Sequence, residues 1–139
     1  MLNFDIFFED YDLMQIPQEH LVNAQHLIRS INKMLLLVSQ LKFAYNDLQV
    51  GFGSLTQDQK YRLPNSTVGA AKSAHKEGMA IDIPDCYVFR FSDFTLKEVL
   101  QKNESILEEC GLYLEHPDYT PNHTHLQTRP TSRRVFIPY

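Results

Sequence analysis

The chain has 139 residues, the length of one ordinary domain, of which 43% are hydrophobic and 22% are charged. That composition is typical of a folded globular domain and excludes an intrinsically disordered chain, so the sequence predicts a single domain over residues 1–139. The formal net charge of -4 argues against nucleic acid as the main partner, because phosphate binding needs a basic surface.

The N-terminal stretch MLNFDIFFEDYDLM is acidic and has no basic region ahead of a long apolar run. We therefore expect no secretory signal and synthesis in the cytoplasm. Apolar runs also fall short of the roughly 20 residues that a membrane-spanning helix needs, so we expect no membrane insertion.

Residues 17 to 43 are predicted to form one long helix. Pro17 suits the first helical turn, and apolar residues then recur at helical spacing. The apolar positions are Leu21, Ala24, Leu27, Ile28, Ile31, Met34, Leu35, Val38 and Leu41. Because they share one face, we expect this helix to pack against the rest of the domain.

Residues 48 to 54 are predicted to form a short strand that ends in glycines, and residues 79 to 83 a strand with alternating side chains. A second helix is expected over residues 94 to 110. Thr95 and Glu98 have the spacing of a capping box at its start, and Gly111 is well placed to end it.

Two more strands are expected at residues 112 to 115 and 123 to 128, with a last strand in the C-terminal segment VFIPY. Together the elements predict an α+β fold. In that fold a small antiparallel sheet packs against the long N-terminal helix and the second helix.

The segment SAHKEGMAIDI is the first that indicates chemistry. Strand alternation directs three apolar side chains to one face, namely Met79, Ile81 and Ile83. Asp82 then lies on the opposite face beside the small Ala80, and Gly78 permits a tight turn that could bring His75 back towards Asp82. An imidazole and a carboxylate that converge are suitable ligands for zinc. For this pair alone, an amphipathic strand with a surface aspartate and a loop histidine is the favoured interpretation.

The segment HTHLQT changes that balance. Alternation places His123, His125 and Gln127 on one face, with the two histidines about 7 Å apart at Cα. The alternative is a pair of surface histidines on an edge strand. Taken with His75 and Asp82, however, the pattern favours a mononuclear site, in which three protein ligands leave one position open, as in catalytic zinc sites.

These motifs resemble a known family. The run S-x-H-x-x-G-x-A-x-D-I, followed about forty residues later by H-x-H, is similar to the zinc D-alanyl-D-alanine peptidases. These enzymes are grouped with vancomycin-resistance dipeptidases, phage L-alanyl-D-glutamate endolysins and the hedgehog fold. The similarity begins near Leu48 and runs to the C-terminus. It implies a hedgehog/D,D-peptidase fold in which zinc is held by His75, Asp82 and His125.

The resemblance also suggests roles for neighbouring residues. Ser73 would lie near the metal or the substrate, and His123 matches a histidine that stabilises the transition state in some members. The arginine that binds the substrate carboxylate is missing from the segment Gly51–Ser54. Arg62 is the candidate to replace it, and Gln127 is a further candidate for substrate binding.

This chain also differs from the family at the position of the general base. Many members have an acidic residue three positions before the last ligand, where this chain has Asn122. Glu115 is the first candidate to take over that role, ahead of His123, and Asp118 lies in the same turn region. A solvated turn residue is the alternative interpretation of Glu115.

The sequence therefore predicts zinc-dependent hydrolysis of a peptide bond in bacterial peptidoglycan stem peptide, of the D,D-carboxypeptidase or endopeptidase type. One alternative is a non-catalytic phage or prophage protein with a structural or binding role that retains the peptidase fold. Another is a histidine-rich α+β binding domain without metal. A protein that acts on the cell wall would reach it in association with a phage or by release.

Overall fold

The computed structural model describes residues 1–41, 49–70, 72–85, 88–89 and 95–138. Within these residues the fold is α+β, as predicted. The helices are α1 (Phe4–Phe7), α2 (Gln18–Ser39), α3 (Leu96–Lys102) and α4 (Glu104–Cys110), and the strands are β1 (Gln49–Val50), β2 (Ala80–Pro84), β3 (Val88–Phe89), β4 (Tyr113–Glu115), β5 (His123–Gln127) and β6 (Val135–Phe136).

Helix α2 confirms the predicted long helix, with Pro17 at its N-cap and Gln40 at its C-cap. The end of the predicted range, residues 42 and 43, lies outside the described residues. The buried side chains of α2 follow the predicted apolar face and are Ala24, Leu27, Ile28, Ile31, Met34 and Val38. They pack in the core with α4 and the sheet, because burial of one apolar stripe stabilises an amphipathic helix.

The second predicted helix is two separate helices in the structure, so the prediction of a single helix over residues 94 to 110 is wrong. The capping box of Thr95 and Glu98 is present, and Gly111 ends α4 with a left-handed φ of 69°. Between them Asn103 leaves helical geometry at φ -131° and ψ 56°, and its side-chain amide donates to the Val99 carbonyl at 2.8 Å. That local hydrogen bond competes with the helical ladder and separates α3 from α4. Residue 94 is not among the described residues.

The main sheet has the strand order β2-β5-β4-β6. β5 pairs antiparallel with both β2 and β4, but β6 pairs parallel with β4, so the prediction of an antiparallel sheet is wrong for this last pair. The chain reverses after β5, and both edges of β5 are already occupied. β6 therefore runs in the same direction as β4, and it pairs with the outer edge of that strand.

The predicted strand over 48 to 54 is shorter in the structure. Only Gln49–Val50 is strand, paired with β3 in a separate two-stranded sheet, and Phe52–Ser54 forms a 3₁₀ turn. Leu48 lies outside the described residues, as does Tyr139 at the end of the predicted VFIPY strand, of which β6 is the first part.

The two faces of the main sheet differ in chemistry. Its core face carries Ile81, Ile83, Leu114 and Leu126, all fully buried. The opposite face carries the polar side chains of β2 and β5, because successive strand residues alternate. None of the described helices is long and apolar enough to cross a lipid bilayer.

Candidate metal centre

The register of β2 and β5 brings Asp82 and His125 together. The two residues are direct antiparallel partners, with Ala80 opposite Gln127 and Pro84 opposite His123. Direct partners point to the same face of a sheet. The predicted alternation of both strands is therefore confirmed, and residues from two distant segments of the chain share one polar surface.

His75 reaches this surface from the 3₁₀ turn Ala74–Glu77, which directly precedes β2. Gly78 ends the turn with a left-handed φ of 75°, a conformation that favours glycine. A Cβ at Gly78 would lie 2.6 Å from the backbone carbonyl oxygen of His20 on α2. The glycine thus permits both the turn and the close packing of α2, and together these return His75 towards Asp82.

The three side chains form a compact cluster. His75 Nε2 lies 3.2 Å from Asp82 Oδ2, and His125 Nδ1 lies 2.8 Å from Asp82 Oδ1. One nitrogen of each histidine and one carboxylate oxygen all lie within 4.8 Å of one another, so this group could hold a metal ion. His75 is 2% exposed and His125 is 9% exposed, which keeps the cluster largely out of water.

Hydrogen bonds on the outer side of each imidazole fix which nitrogen carries a proton. His75 Nδ1 donates to the Lys60 carbonyl at 2.7 Å, which leaves a lone pair on Nε2 in the neutral ring. His125 Nε2 lies 2.8 Å from Gln127 Oε1, and the Gln127 amide nitrogen donates to the Arg129 carbonyl at 2.9 Å. Since that carbonyl fixes the orientation of the amide, a neutral His125 ring donates from Nε2 and keeps a lone pair on Nδ1, whereas a protonated ring also donates from Nδ1 to Asp82.

With both rings neutral, three acceptors therefore face one another: His75 Nε2, His125 Nδ1 and the Asp82 carboxylate. Acceptors held this close repel unless a proton or a cation lies between them. A divalent cation satisfies all three at once, and the hydrogen bonds to Lys60 and Gln127 are of the kind that orient metal-binding histidines. The donor set, two imidazoles and one carboxylate, fits zinc.

The electrostatics of the cluster favour opposite charges on its members. Burial alone would raise the pKa of the Asp82 carboxyl, but hydrogen bonds and charge from His125 and His75 outweigh it and hold that pKa well below its usual range. Burial alone would lower the pKa of His125, but the hydrogen bond and the charge of Asp82 raise it. Asp82 is therefore an anion that attracts a positive charge to this position.

Arg62 lies beside the cluster. Its Nη2 is 3.6 Å from Asp82 Oδ2, and its Nε donates to the Asp58 carbonyl at 2.7 Å. Gly69, whose left-handed φ of 74° favours glycine, passes close to the Arg62 guanidinium, so a Cβ there would displace the end of this side chain. The arginine is thus held next to the Asp82 carboxylate, near Oδ2, whereas His125 contacts Oδ1.

His123 is also near the cluster. Its Nε2 lies 3.7 Å from Asp82 Oδ1, and about a third of its side chain is exposed (33%). Partial burial lowers the pKa of His123, an effect that the charge of Asp82 opposes in part. A neutral imidazole at this position can accept a proton near neutral pH.

Glu115 occupies the next strand of the same row. Tyr113 pairs with Gln127 and Leu114 with Leu126, and continuing this register places Glu115 opposite His125. Asp82, His125 and Glu115 therefore share one face across three strands. Burial raises the pKa of Glu115 and the charge of Asp82 raises it further, while His125 lowers it. Asp118, the other acid of this region, has a side chain that is 83% exposed.

Ser73 and Gln127 were predicted to bind substrate. The Ser73 hydroxyl accepts from the His75 backbone N–H at 3.3 Å and caps the turn that carries this histidine. Gln127 is 6% exposed, and both ends of its amide are used, by His125 and by the Arg129 carbonyl. Substrate binding by these two residues stays a prediction; the contacts that the structure shows are with the cluster and its supports.

An open cavity of about 810 Å³ adjoins the cluster. His125 and Glu115 reach its wall, together with Ser73 and Gln127. The remaining lining residues are Ala70, Lys72, Ala74, His116, Arg129, Thr131, Ser132, Arg133, Val135, Phe136, Ile137 and Pro138. The volume is in the range of sites that enclose small ligands, and among the three cluster residues His125 is the one that lines it.

Two features of the site are absent from the sequence analysis. The carbonyl that orients His75 belongs to the backbone of Lys60, and no residue type signals such a role. The second feature is the basic wall of the cavity, where Arg129 and Arg133 border the site. The cluster of Arg129, Arg133 and Arg134 is visible in the sequence, but a solvated edge is the more common interpretation of three such arginines.

Comparison with models of protein families, with curated proteins and with solved structures found no match. The resemblance to zinc D,D-peptidases therefore stays a prediction from the sequence motifs.

Proposed function

We propose that this chain is a zinc peptidase that hydrolyses a peptide bond in bacterial peptidoglycan stem peptide, of the D,D-carboxypeptidase or endopeptidase type. One observation carries the proposal: His75 Nε2, His125 Nδ1 and the Asp82 carboxylate converge, and each imidazole has an acceptor behind it. With both rings neutral, all three converging groups are acceptors. The adjoining cavity and the resemblance of the two motifs to zinc D,D-peptidases support a catalytic role.

The ligands in this proposal are His75, Asp82 and His125. Structural zinc sites usually contain cysteine and fill all four positions, whereas three nitrogen and oxygen ligands leave a position for substrate or water. When bound, zinc would supply Lewis-acid chemistry, by polarising the scissile carbonyl and making water more acidic. The Lys60 carbonyl and the Gln127 amide keep the two imidazoles in the required tautomers.

The proton that leaves water must be carried to the departing amine. Glu115 is suited to this transfer because it lies in the same row as His125, lines the cavity, and has a pKa raised towards neutrality by burial. His123 is the second candidate, because it is neutral near pH 7 and lies 3.7 Å from Asp82. A protonated His123 would instead stabilise the developing oxyanion.

Arg62 is proposed to bind the substrate carboxylate or oxyanion beside the cluster. Its guanidinium is already held next to Asp82, so little ordering is needed on binding. Ser73 lies on the cavity wall and could contact the peptide backbone. Gln127 is assigned to the orientation of His125, since its amide is occupied on both sides.

The test is hydrolysis of a synthetic stem pentapeptide and of purified cell walls by the zinc-loaded protein, with products identified by mass spectrometry. Release of free D-alanine identifies a carboxypeptidase, and a new internal amino terminus identifies an endopeptidase. Glu115→Gln and His123→Gln distinguish the two candidates for proton transfer, with Asp118→Asn as the matched exposed control. Intact substrate after long incubation at full zinc occupancy would refute the peptidase proposal.

The second candidate function is a non-catalytic member of the same fold, with a structural or binding role in a phage or prophage. Asn122 favours it, since an amide stands at the position where many members have the acidic base. In this alternative the protein, with or without zinc, has a binding or assembly role, and incubation with cell walls produces no new amino terminus. The same incubation with cell walls therefore separates the two functions.

A further inference from the structure

The cavity beside the cluster differs in charge from the chain as a whole. Lys72, Arg129 and Arg133 line it, and among the described lining residues Glu115 is the one acid. The whole chain has a net charge of -4, so this local excess of positive charge runs against the average. A concave surface of one sign concentrates the field and attracts ligands of the opposite charge.

Arg129 is held at this wall with donor capacity to spare. Its Nη2 lies 3.4 Å from Glu77 Oε2, yet within the described part of the chain this buried nitrogen makes no hydrogen bond. The Glu77 carboxylate is thus the ion-pair partner of this guanidinium. Because a guanidinium has five N–H donors, a ligand carboxylate can bind Arg129 alongside Glu77.

Lys72 and Arg133 are exposed and line the same cavity. Their long side chains can close on an anion without disturbing the core. The neighbouring Arg134 is engaged differently, because its guanidinium stacks 4.3 Å from the Tyr113 ring centroid and donates to the Leu112 carbonyl. Of these two adjacent arginines, Arg134 therefore supports the sheet and Arg133 lines the cavity.

Part of the remaining wall is apolar and comes from two segments of the chain, beside polar lining residues such as His116, Thr131 and Ser132. The apolar lining residues are Ala70, Ala74, Val135, Phe136, Ile137 and Pro138. A ligand that matches both kinds of wall is a short peptide with small apolar side chains and a carboxylate. Peptidoglycan stem peptide has this chemistry, with alanine methyl groups and a free α-carboxylate on its γ-linked D-glutamyl residue.

We propose that Lys72, Arg129 and Arg133 form a subsite for the D-glutamyl α-carboxylate of the stem peptide, separate from Arg62. The inference rests on the proposed function for the identity of the substrate and adds a preference to it. Stem peptides with the free α-carboxylate bind more tightly than those in which this group is an amide. The preference is electrostatic and weakens as salt concentration rises.

The test measures equilibrium binding to the zinc-loaded full chain, by calorimetry or NMR titration, so that turnover is not the readout. Two synthetic stem pentapeptides are compared, both N-methylated at their peptide bonds to resist hydrolysis, one with the D-glutamyl carboxylate and one with the carboxamide. We expect the acid to bind about three- to tenfold more tightly than the amide, the range of a partly exposed charge-assisted contact.

Lys72→Ala and Arg133→Ala should each reduce this preference. Arg29→Ala is the matched control, because it removes a positive charge from an exposed position on α2 that does not line the cavity. Equal affinity for acid and amide in the wild type overturns the subsite, as does an unchanged preference in both variants. Neither result depends on hydrolysis, so failure of the subsite and failure of the peptidase proposal are separate outcomes.

Discussion

Replacement of Gln127 by leucine removes the acceptor that fixes the tautomer of His125. Gln127 is 6% exposed, and its Oε1 lies 2.8 Å from His125 Nε2. In the variant, the buried Nε2–H loses its partner, which costs about 1–3 kcal/mol. The ring can escape that cost by moving its proton to Nδ1 and donating to Asp82. The nitrogen that faces the candidate metal position then has no lone pair.

We therefore expect Gln127→Leu to weaken zinc binding by about 10- to 100-fold, the usual effect of removing a group that orients a metal-binding histidine. This range corresponds to about 1.4–2.7 kcal/mol of binding free energy. The assay is competition for zinc with a chromophoric chelator at fixed pH. Gln25→Leu, on the exposed face of α2, is the matched control for the same chemical change.

Wild-type zinc affinity in Gln127→Leu would refute the tautomer argument. It would also remove the main reason to regard the cluster as a preorganised metal site. A rise in KM with zinc affinity unchanged would indicate instead that Gln127 contacts substrate. The two roles proposed for this residue are thus separated by one pair of measurements.

Three further predictions follow from the same structure. His75→Ala and Asp82→Ala should each abolish retention of zinc through purification, and full occupancy in elemental analysis would contradict the ligand assignment. Gly78→Ala should lower the free energy of unfolding, measured by urea titration, by about 1–2 kcal/mol or more, because φ is 75° and the added Cβ meets a backbone carbonyl. Gly53→Ala is the control: a Cβ there has no neighbour within 4 Å, so its effect should be close to zero. Burial raises the pKa of Tyr61 to about 12. The neutral phenol should therefore contribute fully to stability below about pH 10, and this contribution should be lost as pH rises towards 12. Tyr61→Phe should remove this pH dependence of the free energy of unfolding.

The position of the cluster follows from the topology of the sheet. β5 is an interior strand with β2 on one side and β4 on the other, so a residue at its middle has a direct neighbour on both sides. His125 occupies that position, between Asp82 and Glu115. His125 therefore has a carboxylate on each side. The histidines hold the pKa of Asp82 low, so Asp82 is charged, whereas burial raises the pKa of Glu115.

Local sequence determined much of the fold. The apolar period of α2, the capping box at Thr95 and the glycine after α4 are short-range features, and each operates within a few residues of its own backbone. Strand alternation also placed Asp82 on one face of β2, and His123 and His125 on one face of β5. Side-chain direction along a strand is set by backbone geometry alone, so it could be predicted without knowledge of the sheet.

Features that depend on distant contacts were decided by the tertiary structure. The parallel pairing of β6 depends on which edge strand it joins. The break between α3 and α4 depends on a hydrogen bond of Asn103 that competes with the helical ladder. The tautomer of His75 depends on a backbone carbonyl fifteen residues away. The three candidate ligands could be named from motifs because their residue types carry the chemistry. Their orientation depends on groups that have no sequence signature and meet only when the chain is folded.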